Sequence, residues 1–363
     1  SGEKTIIKLP QSNLNNNNNN LKFDKNYLSR NKISKTDLIK TLSGFKNKSV
    51  CVIGDIIVDD YSYHEALGMS QEDSSIVVKP IETSKYLGGA GIVAAHSAKL
   101  GAKSFLISVV GNDREAIFAK NKLKEYGVKN LLLIDNNRIT TLKKKIKLND
   151  KTLLRINDFT HEFINKNLQN KIYDKIKSII KQLNLLIFSD FNYGVLPSEL
   201  INKIVILCKK NNVLTSADSQ LSSQIGDITR FKEIDLISQT EFEMRSSLKN
   251  SNDGLVEVMS IFRKINNSKN LFMKLGEQGL IINHYNKNND YYTDKLDSIN
   301  SFPVDTAGAG DSMLVSSSLS LCVSNNIWQS AFIANLVAAI QISRVGNTPI
   351  SFEEVKSAIS NNF

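Results

Sequence analysis

An α/β fold, with a mainly parallel sheet covered by helices and a small accessory β-sheet, follows from three features of this chain. Strand-like apolar runs alternate with helical patterns, the first of those runs is apolar enough to be buried on both faces, and two β-rich segments interrupt the alternation. Such alternation implies βαβ units, because a parallel neighbour is reached only through a crossover, usually a helix. A length of 363 residues, 41% of them hydrophobic, with 18 Gly and 5 Pro, suits one large domain or one domain with a small appendage.

Taken in order, residues 1–33 read as a disordered tail. They are polar, include the asparagine run Asn15–Asn20 and show neither the helical nor the strand period, so they bury too little apolar surface to offset the entropy of ordering. One folded domain is expected over 34–363, opening with a short helix from Ser34 that ends near Gly44 and the strand Ser49–Ile53. Strand-like runs then follow at Lys103–Val110, Asn130–Ile134, Leu185–Ser189 and Val213–Ala217, separated by helical patterns at Asp113–Tyr126, His161–Gln182 and Pro197–Asn211. Tyr61–Tyr86 and Ile139–Asn157 break the rhythm, each reading as strands with little helix between. They set lid segments at about 60–86 and 138–157, a small sheet able to cover a cleft.

Composition narrows the function classes. Lys and Arg number 46 against 36 Asp and Glu, a net charge of +10, yet the lysines are scattered and no aromatic-plus-basic stripe or helix-turn-helix pattern occurs, so nucleic acid is not an expected partner. A basic field still favours anionic ligands. No apolar run reaches about 18–20 residues and no charged segment precedes an apolar one at the start, which predicts neither a membrane span nor export, hence a cytoplasmic location. Cys51, Cys208 and Cys322 are far apart with no CxxC pair and read as buried thiols.

The strongest chemical signal is Asp305-Thr306-Ala307-Gly308-Ala309-Gly310-Asp311, which opens an apolar helix. Glycines at a helix start let backbone N–H groups close on an anion where the helix dipole is favourable. Asp311 falls in the first turn, where a carboxylate can take a proton from a hydroxyl while the amides of Gly308, Ala309 and Gly310 hold a moving phosphoryl group. Phosphoryl transfer needs little beyond that positioning and charge neutralisation. Alone, so short a string reads equally well as a capped helix N-terminus. It is not a Walker A loop, because no Lys-Ser/Thr follows the glycines.

With its neighbours, this string resembles the C-terminal signature of the ribokinase-like (PfkB-type) carbohydrate kinases, and the resemblance runs from about Ser49 to Ile359. It implies a three-layer α/β/α ribokinase-like domain with a small β-sheet lid, ATP and Mg²⁺ as cofactors, and Asp311 as catalytic base. Gly88-Gly89-Ala90-Gly91 is similar to the family's di-glycine motif beside the sugar, although a tight turn also explains it. In Ile53-Gly54-Asp55-Ile56-Ile57-Val58-Asp59 the resemblance implies an aspartate on sugar hydroxyls, Asp59 before Asp55; acidic loop formers are the plain alternative. Thr240-Glu241-Phe242-Glu243 resembles an N-x-x-E element, which implies that Glu241 organises Mg²⁺ through water. Lys274-Leu275-Gly276-Glu277-Gln278-Gly279 resembles the nucleotide-side hairpin, implying Lys274, Gly276 and Gly279 beside ATP, and Asn335 matches a position near the adenine.

Within the family the chain is most similar to heptose-phosphate kinases, including the kinase half of bifunctional ADP-heptose synthases that serve lipopolysaccharide synthesis. That similarity lies in Gly54–Tyr61, in Thr141–Lys145 leading to Leu153–Arg155, and in Phe188–Gly194, which adds Asp190 to the substrate residues. Lys143 and Lys145, at alternate positions of a lid strand, would point the same way and could hold a phosphate already on the substrate; a solvated lysine-rich edge strand is the alternative. Adenylyl transfer would need a second nucleotide-binding domain, so only the kinase half is expected here.

Ile92, Asn157, Ser238 and Ala307 depart from the usual Asn, Asp, Asn and Thr, which leaves open a kinase of a different sugar, or a catalytically impaired sugar-binding regulator of the same fold. An exposed lid makes a lid-to-lid homodimer plausible.

Overall fold

The computed structural model describes residues 21–148, 151–221, 226–285, 291–300 and 302–363; the asparagine run lies outside them. The strands are β1 (Ser49–Gly54), β2 (Ile56–Met69), β3 (Ile76–Gly89), β4 (Lys103–Val110), β5 (Lys129–Ile134), β6 (Thr141–Leu148) and β7 (Lys151–Asp158). They continue with β8 (Leu185–Asp190), β9 (Leu214–Ser219), β10 (Leu236–Thr240), β11 (Asn270–Lys274), β12 (Leu280–Tyr285) and β13 (Tyr291–Leu296).

Nine of them form one sheet in the order β13-β12-β11-β10-β9-β8-β1-β4-β5. Every pairing from β11 to β5 is parallel, and only β12 and β13 add antiparallel edges. Alternation along β1 divides the core: Val50 and Val52 pack on one face, Cys51 and Ile53 on the other. The first face is covered by the helices Lys35–Gly44, Ala90–Lys99, Ala309–Ser324 and Ile327–Gln341, the second by Lys166–Ile179, Ser198–Lys210 and Leu255–Asn266. Three layers result, with a central strand buried on both faces as its apolar run predicts.

The other four strands form a second sheet, β3-β2-β6-β7. Its β2–β3 and β6–β7 pairs are antiparallel and β2–β6 is parallel, so both β-rich segments meet in one lid. β2 leaves the main sheet directly after β1, and β3 returns through Gly88 and Gly89 into the helix Ala90–Lys99. Gly89 has φ +55°, and a Cβ there would lie 2.2 Å from the Asp55 carbonyl oxygen, so this tight return requires glycine.

Residues 21–33 correct the tail boundary. Leu21, Phe23, Tyr27, Leu28 and Ile33 are buried, and Asp24 caps a short helix, Lys25–Arg30, by accepting from the Tyr27 amide. The segment is stabilised by tertiary packing, which a local period does not reveal. No helix among the described residues is long and apolar enough to cross a membrane.

Candidate active site

Gly308 precedes the helix Ala309–Ser324 in a left-handed conformation, φ +77°. Asp305 fixes the turn: one carboxylate oxygen accepts from the Ala307 amide at 3.0 Å and the other from the Gly346 amide at 3.1 Å. As first-turn groups, the amides of Gly310 and Asp311 have no carbonyl acceptor inside the helix, so they remain available to an anion at the positive end of its dipole. A Cβ on Gly310 would stand 3.3 Å from Lys274 Nζ and 3.8 Å from Gln220 Nε2, so two donor side chains converge in front of that turn.

Asp311 is 7% exposed and accepts from Gln220 Nε2 at 3.1 Å. Burial, and then the neighbouring Asp218 carboxylate, push its carboxyl up to about 7, against the pull of Lys274. A carboxylate with that affinity is matched to proton transfer near neutral pH. Lys274, its side chain 11% exposed, pairs with the buried Asp218 at 2.8 Å. Burial alone would lower its pKa, but Asp218, Glu243 and Asp311 outweigh that and raise it.

Two cavities meet at this point. The first, 490 Å³, takes in Lys274, Gly276, Gly279 and Asn335 together with Ala309 and Gly310. The second, 420 Å³, takes in Asp59, Gly88, Gly89, Lys143 and Lys145. Gln220, Ala307, Gly308 and Asp311 line both. The residues expected at the nucleotide and most of those expected at the acceptor therefore form two chambers with the Asp311 carboxylate at their junction.

The second chamber mixes charges. Lys143 and Lys145 come from β6, Arg155 from β7 and Asp59 from β2, directly opposite Lys143 in the same lid sheet, while Asp311 comes from the helix Ala309–Ser324. β6 and β7 pair Lys145 with Arg155 and Lys143 with Asn157, so the period-two prediction for the lysines holds and β7 adds a guanidinium. Lys145 Nζ donates to the Tyr61 hydroxyl at 2.6 Å, and Lys143 Nζ lies 5.0 Å from the Phe191 ring centroid. Burial lowers the Lys145 pKa, opposed by Asp59 and Asp305, and burial raises that of Asp59.

Three expected residues are not on the walls. Asp55 is buried and accepts from the amides of Phe191, Tyr193 and Val195 at 2.8, 3.3 and 3.2 Å, which holds that loop rather than a ligand. Asp190 is buried in an ion pair with Arg230 and accepts from Ser219 Oγ at 2.6 Å. Glu241 turns away to Arg245, 2.7 Å from its Nε. The acid on the first cavity is Glu243, whose carboxylate accepts from the Thr240 amide at 2.8 Å and the Leu221 amide at 3.2 Å. Thr240 caps this helix with Glu243 as reciprocal partner, so the capping box selects Glu243 for the inner side. Ile92 is wholly buried in the core and lines neither cavity.

Gln220, Asp218, Glu243, Arg155 and Asn347 were not singled out from the sequence. No group of three His, Cys, Asp or Glu able to hold a metal ion occurs among the described residues. Mg²⁺ commonly keeps several waters and binds through one or two carboxylates together with phosphates. Glu243, on the wall of the first cavity, fits that habit.

A family model described as pfkB family carbohydrate kinase matches residues 47–353. The Bifunctional protein HldE of Helicobacter acinonychis is 30% identical over 317 residues, covering 85% of this chain and 65% of the relative. That of Campylobacter curvus is 24% identical over 318 residues, covering 86% and 65%. The chain thus spans somewhat less than two thirds of the length of these relatives. A structure of Arabidopsis thaliana ribokinase complexed with ribose and ATP superposes with a TM-score of 0.67 at 16% identity, covering 86% of this chain and 98% of that one. Phosphofructokinase-2 from Escherichia coli gives 0.70 at 13% identity, covering 86% and 99%.

Proposed function

The chain belongs to the pfkB family of carbohydrate kinases, a phosphotransferase acting on a sugar hydroxyl, and on that premise we propose that it moves the γ-phosphoryl group of MgATP onto a sugar phosphate. The single observation that carries this reading is the position of Asp311 on both cavities, with the Gly308–Gly310 turn beside it. ATP occupies the first cavity, its base toward Asn335 and its phosphates toward Lys274 and Gly310. The acceptor occupies the second, its hydroxyl toward Asp311.

Asp311 takes the hydroxyl proton as the oxygen attacks the γ-phosphorus and the bond to the β-phosphate oxygen breaks. The Gly310 and Asp311 amides and Lys274 neutralise charge on the transferring group. Mg²⁺, carried with the nucleotide and held through water by Glu243, would supply further charge neutralisation. Gln220 orients the base. Asp311 repels anions, whereas Lys143, Lys145 and Arg155 attract them, so a phosphate already on the acceptor lies against these three cations. The similarity of Thr141–Lys145 and Leu153–Arg155 to heptose-phosphate kinases supports a heptose 7-phosphate phosphorylated at its anomeric position.

Steady-state ATP consumption with phosphorylated sugars and their dephosphorylated counterparts tests this. The reading requires turnover with a sugar phosphate and, in Arg155→Ala and Lys145→Ala, a KM for it raised tenfold or more, on the order of 1.4 kcal/mol each, with little change for an unphosphorylated acceptor. Binding of a sugar without ATP consumption by any of them would favour the regulator reading instead. Apolar side chains exposed on the lid, among them Leu67, Met69, Ile76 and Ile81, support a homodimer formed through it. The site of action is the cytoplasm, where ATP is supplied.

A further inference from the structure

Residues 22–31 lie outside both cavities, yet they bridge the two halves of one wall of the first. One half is the loop that follows β13, which contributes Ser298 and Asn300 to the cavity. The Lys22 amide donates to the Ile299 carbonyl, between those two residues, at 3.0 Å. Arg30 forks onto the Asp294 carboxylate with both contacts at 2.9 Å and also donates to the Lys295 carbonyl at 2.7 Å. Asn31 Nδ2 adds a further hydrogen bond to Asp294 at 2.9 Å, so the end of the strand leading into the loop is held from several directions.

The other half is the helix Ile327–Gln341, which contributes Asn335, Ala338 and Ala339. The Tyr27 hydroxyl donates to the Trp328 carbonyl at 2.8 Å, and the Phe23 and Phe332 rings meet edge to face with centroids 5.0 Å apart. Phe332 stands one turn before Asn335. The two halves are tied where they meet, because Asn335 Nδ2 donates to the Asp297 carbonyl at 2.8 Å and Asn300 Nδ2 to the Ala339 carbonyl at 3.2 Å. A six-residue helix has no stability of its own, so the segment and the wall order one another.

We infer that residues 22–31 form a strut that holds the base end of the nucleotide cavity in its binding shape, with Arg30 and Tyr27 as positioning residues. The inference rests on reading that cavity as the ATP site. The strut touches the base end of the wall and not the Gly308–Gly310 turn, so its effect is selective. Loosening it weakens recognition of the adenosine part and leaves recognition of the phosphates intact. A bidentate guanidinium–carboxylate pair supplies geometric definition beyond its energy, which suits that role.

Arg30→Ala and Tyr27→Phe test the strut in the whole chain, by calorimetric titration with MgATP and, separately, with magnesium tripolyphosphate. Arg30 is partly exposed, and its removal leaves the core untouched. Each variant is expected to bind MgATP about three- to tenfold more weakly and tripolyphosphate as the parent does. Variants that bind MgATP within about twofold of the parent, or that weaken for both probes alike, would overturn the strut while leaving the nucleotide reading in place. A parent chain that binds no MgATP would instead overturn that reading, and the strut with it.

Discussion

Gln220 Nε2 stands 3.1 Å from Oδ1 of Asp311, and this pair lines both the nucleotide-side and the acceptor-side cavity. Gln220 follows β9, and its backbone amide donates to the Asp190 carbonyl at 2.9 Å, so the end of β8 holds Gln220 in place beside Asp311. Catalytic power in such a site rests on fixed geometry and on a carboxylate poised to ionise.

Ionisation of Asp311 sets the first prediction. Burial and Asp218 raise its pKa to about 7, and only the deprotonated form accepts a proton, so kcat/KM rises as pH increases through about 7. Lys274 opposes that rise. Lys274→Gln therefore moves the acidic limb of the pH–rate profile to higher pH, whatever it does to the maximal rate. An acidic limb near the ordinary carboxylate pKa of about 4 would contradict the assignment.

The same shift has a consequence for stability. A folded-state pKa raised above its unfolded value means that the native state holds the proton more tightly, so stability falls as pH rises from about 4 through about 7. Asp311→Asn removes the buried charge. It should raise the unfolding temperature at pH 8, by roughly 1–4 kcal/mol of stability, and change it little at pH 5, where the parent carboxyl is already protonated. Equal effects at both pH values would show that burial of charge at this position is not what strains the fold.

Two glycines of the turn predict opposite outcomes. A Cβ on Gly308 would lie 2.1 Å from Asn347 Oδ1 on a residue already at φ +77°, so Gly308→Ala should destabilise by about 1–3 kcal/mol. At Gly310 the added carbon meets only the ends of the Lys274, Gln220 and Asp218 side chains. Gly310→Ala should keep its thermal stability while losing turnover tenfold or more, because the methyl group fills the phosphate approach. Thermal melts and steady-state rates on both variants separate the two effects.

The turn, the two chambers and the alternating lid lysines were legible because each depends on residues close in sequence. Asp311 follows its glycines directly, and Lys143 and Lys145 need only the strand period to share a face. Asp55 could not be separated from Asp59 in this way, since what occupies Asp55 is a loop more than 130 residues later, Phe191–Val195. Glu243 rather than Glu241 lies on the first cavity, because the sequence does not state which of two nearby acids a helix cap turns inward. The N-terminal arm was missed for a related reason. Phe23 and Tyr27 acquire their order from Phe332 and Trp328, some three hundred positions away, and an adjacent asparagine run masks the few apolar residues that do the packing.

Replacement of Asp311 by asparagine, assayed for both ATP turnover with a sugar phosphate and MgATP affinity, decides whether this carboxylate is the base. The kcat is expected to fall by several orders of magnitude, on the order of 10²–10⁴ or more, with MgATP affinity nearly unchanged. Near-normal turnover in that variant would remove Asp311 from its role as base.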